Sequence, residues 1–124
     1  MKLSLMDRQT ANFPAVTDKF VIVKLAAATH ASNTALLPAV RAAVAAAATA
    51  GSYPDPGAPR AIILANPHAT ATFYLWSRNS TVATTEGLPI PAGQSLFLGL
   101  QPSNDPQDEL RYEAANAITV AAFF

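Results

Sequence analysis

Residues 60–100 carry three apolar runs, 61–65 (AIILA), 72–77 (TFYLWS) and 95–100 (SLFLGL), each closed by Asn, Pro or Gly. Short runs rich in β-branched and aromatic residues, bounded by turn formers, predict strands. The same pattern places a first strand at 20–25 (FVIVKL), where Lys24 interrupts an apolar run, and strands at 60–66, 72–77, 81–85, 94–100, 109–114 and 118–124. Breaks fall at Asn66-Pro67, Arg78-Asn79, Gly87-Leu88-Pro89, Pro91-Ala92-Gly93 and 102–106. That spacing predicts a mainly β chain, an antiparallel β-sandwich or jelly-roll-like domain.

One segment has a different period. Between 36 and 50 the chain is nearly all Ala, with Leu36, Val40, Val44 and Ala47 spaced as one helical face and Gly51 placed as a stop. This predicts an Ala-rich helix at about 37–50, with Arg41 pointing away from the stripe and Pro38 in the first turn, where a missing N–H costs little. The alternative is a strand at 34–40 followed by a loose Ala-rich connection. Residues 52–59 (SYPDPGAP) form a Pro-rich link. Residues 1–19 mix charged and polar positions with Phe13 and Pro14 and show no period, and read as an N-terminal arm. The chain therefore divides into the arm and a single domain at 20–124, whose main β region is 60–124.

A strand with one wet face should be polar at every second position. Two of these are not. In 72–77, Phe73 and Leu75 oppose Tyr74 and Trp76; in 95–100, Leu96, Leu98 and Leu100 oppose Phe97 and Gly99. Both faces need cover, one from the sandwich core and the other from the Ala-rich helix, a loop or a neighbouring subunit. A Trp or Tyr buried against a partner contributes roughly 1.5–3 kcal/mol by area. Tyr74 and Trp76 are therefore candidate interface residues. So are Phe123 and Phe124, because a terminal aromatic pair docks either in the core as part of a last strand or on a partner.

Composition strengthens the case for an assembly. Hydrophobic residues make up 51% of the chain and charged ones 13%, so a small domain has few charges with which to cover its surface. Eight basic and eight acidic residues cancel, which disfavours nucleic acid and anionic membranes as partners. The first twelve residues lack the apolar core of a signal peptide, and the Ala-rich stretch is too short for a membrane span. There is no Cys, so disulfides and thiolate metal sites are excluded.

Catalytic and cofactor signatures are not found. His30 and His68 lie in no metal-ligand cluster and read as loop residues. The text around Ser95 has the wrong spacing for a nucleophile elbow, and the five glycines are dispersed among turns, which leaves a nucleotide cofactor unsupported. Asp105, Asp108, Glu109 and Glu113 offer oxygen ligands of the kind calcium takes, but in no recognised spacing, and a solvated acidic turn explains them more simply. No metal is expected. Trp76, Tyr74 and Tyr112 could form a sugar-stacking platform, as aromatic faces on sandwiches sometimes do.

The order Arg60–Asn66 (RAIILAN), then Phe73-Tyr74-Leu75-Trp76, Thr81-Val82-Ala83 and residues 86–95 (EGLPIPAGQS) resembles small virion structural proteins of tailed bacteriophages. The resemblance covers about half the chain, 60–124, on turn residues and apolar alternation. It implies a non-enzymatic capsid decoration or cement protein located on the virion surface, which binds the major capsid protein and acts as a homo-oligomer. A tail or neck component is the alternative within that class, and a carbohydrate-binding module for host attachment the alternative outside it. The resemblance carries over no catalytic residues.

Overall fold

The apolar run at Phe20–Leu25 forms strand β1 and pairs antiparallel with Ile118–Phe123, almost a hundred residues away in sequence. The computed structural model describes residues 20–77, 87–100 and 110–124. The arm expected at 1–19, the strand expected at 81–85 and the acidic positions Asp105, Asp108 and Glu109 lie outside the described residues. In chain order the strands are β1, β2 (Thr34–Ala35), β3 (Ala61–Ala65), β4 (Phe73–Ser77), β5 (Leu88–Ile90), β6 (Ser95–Gly99), β7 (Leu110–Glu113) and β8 (Ile118–Phe123), with helix α1 (Leu36–Gly51) between β2 and β3.

One antiparallel sheet has the order β1-β8-β3-β6 and the other β2-β7-β4-β5. The first strand thus pairs with the eighth, the second with the seventh, the third with the sixth and the fourth with the fifth. This is one long hairpin rolled into two sheets, the eight-stranded jelly roll. The mainly β sandwich expected from the sequence is the fold observed.

Alternation decides which side chains face inward. Val23, Leu25, Ile62, Leu64, Ile118 and Val120 from the first sheet meet Phe73, Leu75, Ile90 and Tyr112 from the second in one buried cluster. Phe73 and Tyr112 pack edge to face with ring centroids 6.0 Å apart, a favoured aromatic geometry. Helix α1 adds Leu36, Val40, Val44 and Ala48, all buried. It packs mainly on β1, the edge of the first sheet, and also touches β7 and β2 of the second, and so closes the sandwich on that side.

The helix matches its expected position, with Pro38 third in the first turn and Arg41 exposed. The buried stripe runs on to Ala48, with Ala47 half-buried beside it. Gly51 does not stop the helix by its own backbone. Ser52 takes the left-handed conformation (φ 57°), and the Ser52 and Tyr53 N–H groups donate to the carbonyls of Thr49 and Ala48. A Cβ at Gly51 would lie 2.6 Å from the ring of the exposed Tyr53, which would have to swing aside. Ahead of the helix, Thr34 and Ala35 do pair, with Tyr112 and Arg111, so a short strand and the helix follow one another directly.

Strand β5 occupies residues expected to be a break, Gly87-Leu88-Pro89. Pro89 has no N–H to give a ladder, which argues against a central strand but not against an edge, and β5 is the edge of its sheet. The break expected at Pro91-Ala92-Gly93 is present: Gln94 N–H donates to the Pro91 carbonyl at 3.0 Å, with Gly93 at φ 76°. Asn66, expected only to end a strand, is 4% exposed and ties the two sheets together. Its Nδ2 donates to the carbonyls of Ala71 (2.8 Å) and Ile90 (2.9 Å), and its Oδ1 accepts the His68 N–H at 3.2 Å. The Asn66 backbone meanwhile bonds to Gln94 and Gly93, both at 2.9 Å.

Replacing Asn66 by Ala leaves the buried Ile90 carbonyl without its donor, for which an unmade buried hydrogen bond costs about 1–3 kcal/mol. Urea unfolding of Asn66→Ala should show a lower midpoint with an unchanged slope; an unaltered midpoint would mean that the tie contributes nothing.

Candidate functional site

The two sheets present opposite chemistry to the outside. On the first, register places Ile22, Ala121, Ile63 and Phe97 in one row across all four strands. A second row on the same face is Phe20, Phe123, Ala61 and Gly99, and a third is Lys24, Thr119, Ala65 and Ser95. Two of the three rows are wholly apolar. Phe20 is 52% exposed, Ile22 61% and Phe97 45%, so large side chains meet solvent here. Phe123 is buried on this face, its ring stacked on Phe20 at 5.6 Å. Phe124 is half-buried against the core.

On the outer face of the second sheet Tyr74 lies beside Glu113 and Trp76 beside Arg111, as register partners on β4 and β7. The segment 27–34 folds over this face and is held by a bridge in which Ala28 and Ala114 exchange N–H to carbonyl bonds of 3.0 Å. His30, expected to be a plain loop residue, is half-buried and stacks on Trp76 with ring centroids 4.5 Å apart. Trp76 is consequently only 7% exposed, covered from within its own chain. Tyr74 remains half-buried beside it.

The four sequence-derived interface candidates therefore fall in two places. Phe123 and Phe124 belong to the last strand and its end, the first of them on the apolar outer face of the first sheet. Tyr74 and Trp76 lie on the outer face of the second. The three aromatics of the expected sugar platform are also separated: Tyr112 faces the core, Trp76 lies under His30, and Tyr74 alone borders open space.

That space is a cleft of about 770 Å³ between the 27–34 segment and the ends of β4 and β7. Its lining includes the hydroxyl-bearing Thr29, Ser32, Thr34, Thr72 and Tyr74, together with Glu113. Ser32 Oγ donates to the Thr29 carbonyl at 2.7 Å and lies 2.8 Å from Thr34 Oγ1, which fixes the rim of the turn. Glu113 Oε1 is buried and has no hydrogen-bond partner. Sequence reasoning missed the cleft because its two walls are some 40 residues or more apart in the chain and nothing local joins them.

The histidines are occupied. His68 Nδ1 accepts the N–H groups of Thr70 (3.1 Å) and Ala71 (2.8 Å), which makes it a turn-fixing acceptor. Among the described residues no three His, Asp or Glu side chains are grouped to hold a metal ion, and no helix is long and apolar enough to cross a membrane. No protein-family model, curated protein or solved structure matches the chain.

Tyr112 supplies the one titration that bears on the fold near the cleft. Its hydroxyl donates to the Ala26 carbonyl at 3.0 Å, and burial pushes its phenol above the usual value. A raised acid stabilises the folded state fully below the unfolded value of about 10, and that stabilisation is lost as pH rises through the folded value. Stability measured by urea midpoint should therefore fall above about pH 10 in the parent protein and fall less in Tyr112→Phe. At neutral pH the same substitution should cost about 0.5–1.5 kcal/mol, at the low end because Ala26 is exposed and its carbonyl can regain water.

Proposed function

We propose that this protein is a non-enzymatic structural component of a phage particle, a decoration or cement protein that binds the major capsid protein on the head surface. The observation that carries the reading is the apolar outer face of the β1-β8-β3-β6 sheet, with Phe20, Ile22 and Phe97 between 45% and 61% exposed on a domain poor in charge. Large apolar side chains grouped on one flat face mark a surface that functions covered. Burying Phe20 and Ile22 against a partner would contribute roughly 1.5–3 kcal/mol each by area.

A particle surface multiplies such a contact. Symmetry repeats one modest interface many times, so a small patch suffices where each copy sits beside identical neighbours. The jelly roll is compatible with this reading, since capsid domains use it, but lectins and cupins use it also and the fold by itself assigns no role. The non-enzymatic part rests on the sequence, which shows no paired acid and base, and on His68, whose Nδ1 is spent on backbone amides.

Mass spectrometry of purified particles should find the protein in copy numbers comparable with the capsid subunit, and particles lacking it should lose their contents at lower temperature. Its absence from particles would overturn the reading. Ile22→Lys, which places a charge at a 61% exposed position, should leave the unfolding midpoint nearly unchanged while weakening attachment to particles at least tenfold.

A further inference from the structure

The cleft on the outer face of the second sheet is not used by the apolar docking surface, and its chemistry is different. Among the described residues Glu113 is its only charged side chain, and the polar groups around it are neutral hydroxyls from Thr29, Ser32, Thr34, Thr72 and Tyr74. Among the described residues no cation lines it, which favours a ligand other than an anion. A ligand that suits it must donate hydrogen bonds to a carboxylate, exchange donors and acceptors with several hydroxyls, and present an apolar face to a tyrosine ring. A neutral pyranose does all three. An ammonium group would satisfy the carboxylate but makes no use of so many hydroxyls, and it fills little of an open cleft of roughly 770 Å³.

We propose that this cleft binds a neutral sugar residue, with Tyr74 as the stacking surface and Glu113 as the acceptor for sugar hydroxyls. Two independent observations converge on it. The first is the composition of the lining. The second is Glu113 itself: its Oε1 is buried without a partner. Buried polar groups are normally satisfied, and Oε1, which is closed to solvent as the side chain stands, can be completed by a bound donor once the carboxylate turns toward the cleft that Glu113 lines. Register fixes the pair, because Tyr74 and Glu113 are direct neighbours on β4 and β7 and project from the same face. The rim is also ordered in advance by the Thr29–Ser32–Thr34 bonds, which lowers the entropy a ligand must pay.

The site is independent of capsid attachment, since it lies on the other sheet. Amide chemical shifts of the isotope-labelled protein, titrated with glucose, galactose, mannose, rhamnose and N-acetylglucosamine, test it directly, with lysinamide as the ammonium probe. At least one sugar should shift amides of 27–34, Tyr74 and 113–115 saturably, with millimolar affinity. Tyr74→Ala should weaken that binding at least tenfold. The isosteric Glu113→Gln should weaken it several-fold while leaving the unliganded spectrum outside the cleft unchanged, because a carboxylate accepts more strongly than an amide. No saturable shift with any of the five sugars, shifts centred away from the cleft, a response to lysinamide alone, or undiminished binding by both variants would each overturn the proposal.

Discussion

Everything in this molecule depends on β8 lying between β1 and β3. Residue by residue, Phe20–Leu25 and Ala61–Ala65 both take their register from Ile118–Phe123, so the first sheet has no continuity until the end of the chain is in place. The second sheet inherits the arrangement, because β7 enters it only four residues before β8 begins. Such pairings join residues far apart in sequence, and the loop-closure entropy must be met before the contacts return anything. The small, tightly packed inner residues Val120 and Ala122, both at zero exposure, are what make a central β8 worth that entropy.

Much of the fold was legible because period 2 and turn chemistry are local. The runs at 20–25, 61–65, 73–77, 95–99, 110–113 and 118–123 announce themselves through Val, Ile, Leu and aromatic residues between Pro, Asn and Gly, and the Ala stretch through its i, i+4 spacing. What was not legible is non-local. Pro89 disguises β5 because proline forbids a central strand, and the sequence does not say that this strand is an edge. Asn66 reads as a turn residue until the Ile90 carbonyl, 24 positions later, is seen to accept its amide. Tyr74 and Trp76 show that a second apolar face needs cover, yet the sequence does not show that His30 supplies it for one and leaves the other beside a cleft.

The two outer faces divide the surface by a simple rule. Among the described residues the buried inward positions of both sheets and the helix are aliphatic or aromatic, so what a face offers to partners depends mainly on the alternate positions. On the first sheet those are Phe20, Ile22, Ile63, Phe97 and Ala121, with Lys24, Thr119 and Ser95 in the row at one end; on the second, where Trp76 and Arg111 are buried, they are Tyr74 and Glu113. An apolar face of the first kind gains from burying area and is indifferent to the detail of its partner. The second kind gains only where donors and acceptors match.

The helix is what allows both faces to stay available. In a sandwich of two four-stranded sheets the exposed edges are usual sites of unwanted strand addition. Here α1 packs mainly against β1, and its buried stripe of Leu36, Val40, Val44 and Ala48 faces inward while Arg41 is exposed. The β1 edge is thereby covered by a helix that has no free backbone to pair with, and it does so with small side chains that let it approach closely. On the flat outer faces specificity rests on side chains rather than on backbone hydrogen bonds.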